Sequence, residues 1–121
     1  MTWALCLNCG ETKFGAILRC EKCGFRSTGD MNLDTLFSDH NISVSTLIQF
    51  GEVIKAINLA SADAQERFWT FIYYVSVHHP ELIERKIEED EVSRYKKILQ
   101  IAHPPRVILT RGDDHLEDLI Q

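Results

Sequence analysis

The sequence predicts an α+β chain, mostly α: a small N-terminal module of short β-hairpins, then a helical domain of three main helices. Three observations carry that expectation. All four cysteines of the 121-residue chain fall in one stretch, CLNCGETKFGAILRCEKCG (6–24). Residues 43–102 carry apolar side chains at helical spacing, interrupted by capping residues and by Pro80. Residues 30–42, DMNLDTLFSDHNI, are polar with isolated apolar positions and read as a linker holding one helical turn around 33–37. The expected organisation is therefore 1–29 as the cysteine module, 30–42 as linker and 43–121 as helical domain. The residues after the cysteines are numerous enough for a modest core of their own.

Taken in order, the first helix is expected to start at Ser43 or Ser45, both good N-caps. Leu47, Phe50, Ile54 and Ile57 follow at helical spacing, with Ile48 and Val53 beside them. Gly51 lies inside this helix and weakens it, and Asn58 is the expected end. Ser61 is the expected N-cap of a second helix over 62–78, with Asp63 and Glu66 near the positive end of its dipole. Its second half, FWTFIYYVSV (68–77), is rich in strand-favouring residues. No turn residue separates it from the helical SADAQERF, so one helix, apolar on nearly every side and central in the packing, is expected. Pro80 suits the first position of a third helix running to residue 102. In that helix Ile83, Ile87, Tyr95, Ile98 and Leu99 share a face, and acidic residues lead while Arg94, Lys96 and Lys97 trail. Pro104 and Pro105 stop it, RVILT (106–110) reads as a short strand or extended tail, and the chain ends in the acidic RGDDHLEDLIQ. The predicted core centres on Phe50, Ile54, Phe68, Phe71, Ile72, Ile98 and Leu99.

Composition narrows the function. The net charge is −5. Residues 1–30 balance at +1, from Lys13, Arg19, Lys22 and Arg26 against Glu11, Glu21 and Asp30, and the remainder balances at −6. Phosphate neutralisation requires clustered cations, so bulk charge argues against a nucleic-acid binder. MTWALCLNCG has neither a basic leader nor an apolar run of signal-peptide length, and no stretch approaches a membrane span. A cytoplasmic location is the expectation, and there a compact pair of C-x-x-C motifs reads as metal ligands before disulfides.

The motif is Cys6-x-x-Cys9-Gly10, ten residues, then Cys20-x-x-Cys23-Gly24. Each C-x-x-C brings two sulfurs onto one ion from a tight turn, and the glycine after it permits the positive φ such a turn needs. Backbone N–H groups in the turn can face the thiolates and offset their charge. Cys6, Cys9, Cys20 and Cys23 are the predicted metal ligands, with no open coordination position. The repeated knuckle, with Trp3 three residues ahead of it, resembles a zinc ribbon, or the related knuckle pair of rubredoxin-like domains. The resemblance covers residues 1–29 and implies short hairpins around one metal. In the ribbon case it implies structural zinc. In the rubredoxin case it implies an iron electron carrier, although larger iron proteins with such knuckles also carry E-x-x-H ligands, and 43–102 holds none.

Other candidates are weaker. Trp3, Phe14, Ile17, Leu18 and Phe25 are expected to form a small core over the metal rather than an exposed platform for bases. His78 and His79 point about 100° apart if helical and read as exposed helix-terminal imidazoles. His40 beside Asp39, His103 before a proline and His115 in the tail lack recognisable partners. RGDD (111–114) holds an integrin-type tripeptide without meaning inside a cell. No phosphate-cradling loop, nucleophile elbow or H-E-x-x-H is present in the sequence. The expected function is therefore a zinc-binding, non-enzymatic protein acting through a protein partner or a regulatory assembly, with homodimerisation through the aromatic second helix as one route. The alternatives are an iron electron-transfer module and a nucleic-acid-binding ribbon using Lys13, Arg19, Lys22 and Arg26.

Overall fold

A computed structural model describes residues 3–16, 18–26 and 31–109. Ile17, residue 110 of RVILT, the RGDD segment and His115 lie outside the described residues. The chain begins with a two-stranded antiparallel sheet, β1 (Trp3–Leu5) and β2 (Thr12–Phe14), with Trp3 opposite Phe14, Ala4 opposite Lys13 and Leu5 opposite Thr12. Among the described residues four helices follow: α1 (Met31–Leu36), α2 (Val44–Ala60), α3 (Ala64–His78) and α4 (Glu89–Ala102). This is the predicted class, a small sheet followed by helices. Among the described residues no helix is long and apolar enough to cross a membrane.

The core is built where α2, α3 and α4 meet. Phe50 and Phe71 are fully buried and meet edge to face at 5.8 Å between centroids, and Phe37 completes a triangle with them at 5.6 and 5.4 Å. Residues 31–42 thus contribute Phe37 and Ile42 to the interior. Of the predicted core, Phe50, Ile54, Phe71, Ile72 and Ile98 are buried, and Phe68 and Leu99 pack half-buried against them. Leu5 and Leu7 from the cysteine segment belong to the same apolar cluster. Backbone pairing fastens that segment further: the Leu5 N–H donates to the Phe37 carbonyl at 2.9 Å, and the Asp39 N–H to the Trp3 carbonyl at 2.8 Å. β1 is therefore bonded along both edges, by β2 and by residues 37–39.

Ser43 caps α2, its hydroxyl accepting from the Thr46 N–H. The helix runs past Asn58 to Ala60, and the Asn58 side chain donates to the Asn8 carbonyl of the cysteine segment instead of ending the helix. Ser61 is the C-cap of α2, and Asp63, not Ser61, caps α3 by accepting from Glu66 N–H. FWTFIYYVSV is helical within α3.

The largest departure is at Pro80. No helix starts there: residues 80–82 turn and 83–88 are irregular. Helix α4 begins only at Glu89, where Glu88 and Glu91 form a reciprocal capping box. Arg85 reaches forward to the Glu91 carboxylate, and Leu82, Ile83 and Ile87 pack on the core from this irregular stretch. After α4 the chain returns in extended form. The Ile108 N–H donates to Gln49 Oε1 at 2.7 Å, and the Tyr74 hydroxyl donates to the Pro105 carbonyl at 3.2 Å. Among the described residues, 106–109 carry no strand assignment, so no strand forms there.

Candidate metal centre

The two cysteine knuckles are backbone copies of one another. In the first, the Gly10 N–H donates to the Cys6 carbonyl at 3.0 Å and the Cys6 N–H to the Glu11 carbonyl at 2.8 Å. In the second, Gly24 donates to Cys20 at 2.9 Å and Cys20 to Phe25 at 2.8 Å. Gly10 and Gly24 have φ of 83° and 79°, the left-handed region that closes each turn. The repeat predicted from spacing is thus a repeat of conformation.

Folding the knuckles together brings Cys6, Cys9, Cys20 and Cys23 into one cluster, with every ligand atom within 4.8 Å of the others. Cys6 Sγ lies 3.5 Å from Cys23 Sγ, and Cys9 Sγ lies 3.8 Å from Cys20 Sγ. A disulfide would need about 2.0 Å. A tetrahedron of sulfurs around an ion at about 2.3 Å has edges of about 3.8 Å, so the donor set and its spacing fit one thiophilic ion. Cys6 and Cys20 are buried, Cys9 is half-buried and Cys23 is exposed. The centre is therefore closed on the protein side and open to solvent at one corner.

The electrostatics of the sulfurs follow from this placement. Burial pushes the Cys6 thiol well above its ordinary range, against the pull of the Cys9 and Asn8 N–H groups. Burial also raises Cys9, partly offset by the Glu11 N–H. Cys23 is desolvated as well, but the Asn8 side-chain amide, the Phe25 N–H and the neighbouring thiols outweigh this and bring it down to about 7. Glu11 and Phe25 occupy equivalent positions, two residues after the second cysteine of each knuckle. Four thiols converging in a space this small suit a cation that takes the place of their protons.

Three residues position the centre and were not singled out as site residues in the sequence. Asn58 of α2 donates from Nδ2 to the Asn8 carbonyl at 2.9 Å, and Asn8 in turn donates from its own Nδ2 to Cys23 Sγ at 3.5 Å. A polar chain thus runs from the helix through knuckle one to a sulfur of knuckle two. The third is Gly51. A Cβ built on Gly10 would lie 2.5 Å from the Gly51 carbonyl oxygen, and one built on Gly51 would collide with the Gly10 carbonyl. Backbone meets backbone here, so the glycine that weakens α2 by propensity is what lets knuckle one seat on it. Two glycines so far apart in the chain carry no sequence signal of that contact.

The aromatic residues do not form the expected core over the metal. Trp3 and Phe14 pair across the strands at 3.9 Å between centroids, yet they and Leu18 are exposed at 38%, 46% and 49%. The pair Ala4 and Lys13 is buried instead, and Leu5 reaches the helical core. Lys13 is buried and donates to the Leu18 carbonyl at 2.7 Å. Among the histidines, His79 is not an exposed imidazole: it is the buried C-cap of α3, set edge-on to Phe50 at 5.5 Å and 3.4 Å from Glu81. His78 is exposed, and desolvation together with neighbouring His79 lowers its pKa. Neither they nor His40 or His103 join a second metal-type cluster among the described residues. No protein-family model, curated protein or solved structure matches this chain, so the four-sulfur centre is the feature from which its chemistry is read.

Proposed function

We propose that this chain is a cytoplasmic zinc-binding protein, not an enzyme, whose ribbon-like four-cysteine centre is structural and whose work is to bind a protein partner in a regulatory or assembly role. The convergence of the four sulfurs within 4.8 Å, on two knuckles of the same conformation, carries the metal reading. Zinc suits it because four protein sulfurs fill a tetrahedron and leave no position for substrate. Bound there, zinc would lock knuckle two, which lacks regular secondary structure, onto knuckle one.

The binding reading rests on the surface beside the centre. Trp3 and Phe14 stack as an exposed aromatic pair, and Leu18 of the same segment is exposed as well, the pattern of a protein-contact surface. The cations that would serve a nucleic-acid role are less available: Lys13 is buried, and Lys22 sits 3.9 Å from Glu11. A partner that docks on this surface, including a second copy of the chain, would read the folded state of the metal site.

Elemental analysis of the purified full chain tests the metal. One zinc per chain in colourless protein is the expected result. A red protein holding one iron would replace the structural reading with an electron carrier, and protein without stoichiometric metal would remove both. Binding to single-stranded DNA that weakens steeply with salt would overturn the partner assignment.

A further inference from the structure

A second feature is lined by residues of α3, α4 and the segment after α4, none of them from the knuckles. An open cleft of about 850 Å³ is formed between the C-terminal half of α3, the face of α4 and the returning segment 103–107. Its volume falls in the range of small-molecule sites. Its walls are apolar and aromatic, including Tyr74 and Leu99, and its polar groups are Lys96, Arg106, His78 and His103 besides the C-cap His79 and Gln100. No Asp or Glu lines it, although the chain as a whole carries −5. Among the described residues neither Lys96 nor Arg106 forms an ion pair.

The C-termini of α3 and α4 both end at this cleft, where their negative dipole ends favour a nearby cation and offset part of its pull on an anion. That accounts for His78 in the last turn of α3. It accounts less well for Lys96, which lies mid-helix in α4, or for Arg106, which the chain brings back after the helix has ended. Tyr74 shapes this arrangement: its hydroxyl holds the Pro105 carbonyl, fixing the segment that carries Arg106, while its ring packs on His78 at 4.6 Å. The result is the exposed cations Lys96 and Arg106 beside the imidazoles of His78, His79 and His103, around an apolar floor.

We propose that this cleft is a binding site for a small organic anion, a carboxylate or phosphate carried on an aromatic or aliphatic body. Lys96 and Arg106 take the anionic group and Tyr74 and Leu99 take the body. Arg106 offers a planar fork matched to either oxyanion, and Lys96 a mobile point charge. The proposal does not depend on the metal reading, since none of the lining residues belongs to the knuckles.

The test is a titration of the metal-loaded full chain with phenyl phosphate, followed by ¹H–¹⁵N correlation spectra, with benzyl alcohol as the uncharged counterpart and inorganic phosphate as the bodiless one. The expected result is saturable shifts centred on residues 74–79, 96–103 and 106–107, with benzyl alcohol and inorganic phosphate each binding more weakly. K96Q/R106Q should weaken phenyl phosphate about tenfold or more, while its spectrum away from the cleft stays that of the parent. Equal binding of benzyl alcohol, an unchanged affinity in K96Q/R106Q, or shifts mapping elsewhere would each overturn the proposal. The acidic residues at 113–118 are the competing occupant. If a full chain bearing D113N, D114N, E117Q and D118N binds phenyl phosphate more than about tenfold tighter, the chain fills its own cleft and a separate ligand is not required.

Discussion

Substituting Gly10, Gly24 and Gly51 by alanine, one at a time, separates the metal knuckle's own geometry from its attachment to α2. Gly10 and Gly24 share nearly the same φ, 83° and 79°, and the same hydrogen bond to the first cysteine of their knuckle. Alanine at either must hold a left-handed conformation, at about 1–2 kcal/mol. Their surroundings differ. At Gly24 the nearest atom to an added Cβ is the movable Arg19 guanidinium at 3.4 Å, whereas at Gly10 it is the Gly51 carbonyl oxygen at 2.5 Å, which belongs to helix backbone. Overpacking against a fixed partner adds about 1–3 kcal/mol. Gly10→Ala is thus expected to cost roughly 2–5 kcal/mol in all. Gly24→Ala should stay near the lower figure. Gly51→Ala supplies the reciprocal. In an exposed helix interior this change would stabilise by about 1 kcal/mol. Here the new methyl meets the Gly10 carbonyl, so the sign reverses. Urea unfolding of the metal-loaded proteins, followed by the helical circular dichroism signal, measures all three. Equal costs at Gly10 and Gly24, or a stabilising Gly51→Ala, would refute the claim that knuckle one is seated on the helix.

Further outcomes follow from the same contacts. Chelating the metal should raise amide exchange across residues 3–26 and lower the thermal midpoint of the helical signal, because Leu5 and Leu7 lie in the helical core; unchanged exchange there would contradict a structural metal. Phe37→Ala should cost about 3–5 kcal/mol in urea unfolding, since the ring is fully buried between Phe50 and Phe71; a cost below about 1 kcal/mol would mean that residues 31–42 are not part of the core. In metal-free protein, iodoacetamide should modify Cys23 first, and increasingly as pH rises through about 7, because this thiol is exposed and its pKa is lowered. Cys6, buried and raised, should react last, and metal should protect all four; peptide mass spectrometry reads the order.

What the sequence disclosed divides along physical lines. The knuckles were legible because their chemistry is local: two cysteines, a turn and a glycine at fixed spacing, used twice. Helices α2 and α3 were legible because apolar periodicity and capping residues coincide, although Ser61, the expected cap of α3, is the C-cap of α2 and Asp63 caps α3 in its place. The start of α4 was hidden. Pro80 is compatible with a first helical position, while the actual cap, Glu88, is a poor intrinsic N-cap that succeeds through its exchange with Glu91 and the support of Arg85. In sequence, that device is indistinguishable from a solvated charge run.

The misplaced aromatics have a different cause. Strand pairing left Trp3 and Phe14 exposed while Ala4, Lys13 and Leu5 were buried, and the long-range approach of Gly10 to Gly51 that seats this segment is recorded by no local pattern. The same holds for Asn58. Its letter suits a helix end, and only the fold reveals that it reaches Asn8, and through Asn8 the sulfur of Cys23. Long-range placement, more than residue chemistry, was what remained to be found.

X-ray absorption at the zinc edge of the purified full chain tests the central claim most directly. The four-cysteine centre predicts a single shell of four sulfurs at about 2.3 Å, with no nitrogen or oxygen ligand. Fewer than four sulfurs, or a mixed shell, would contradict it.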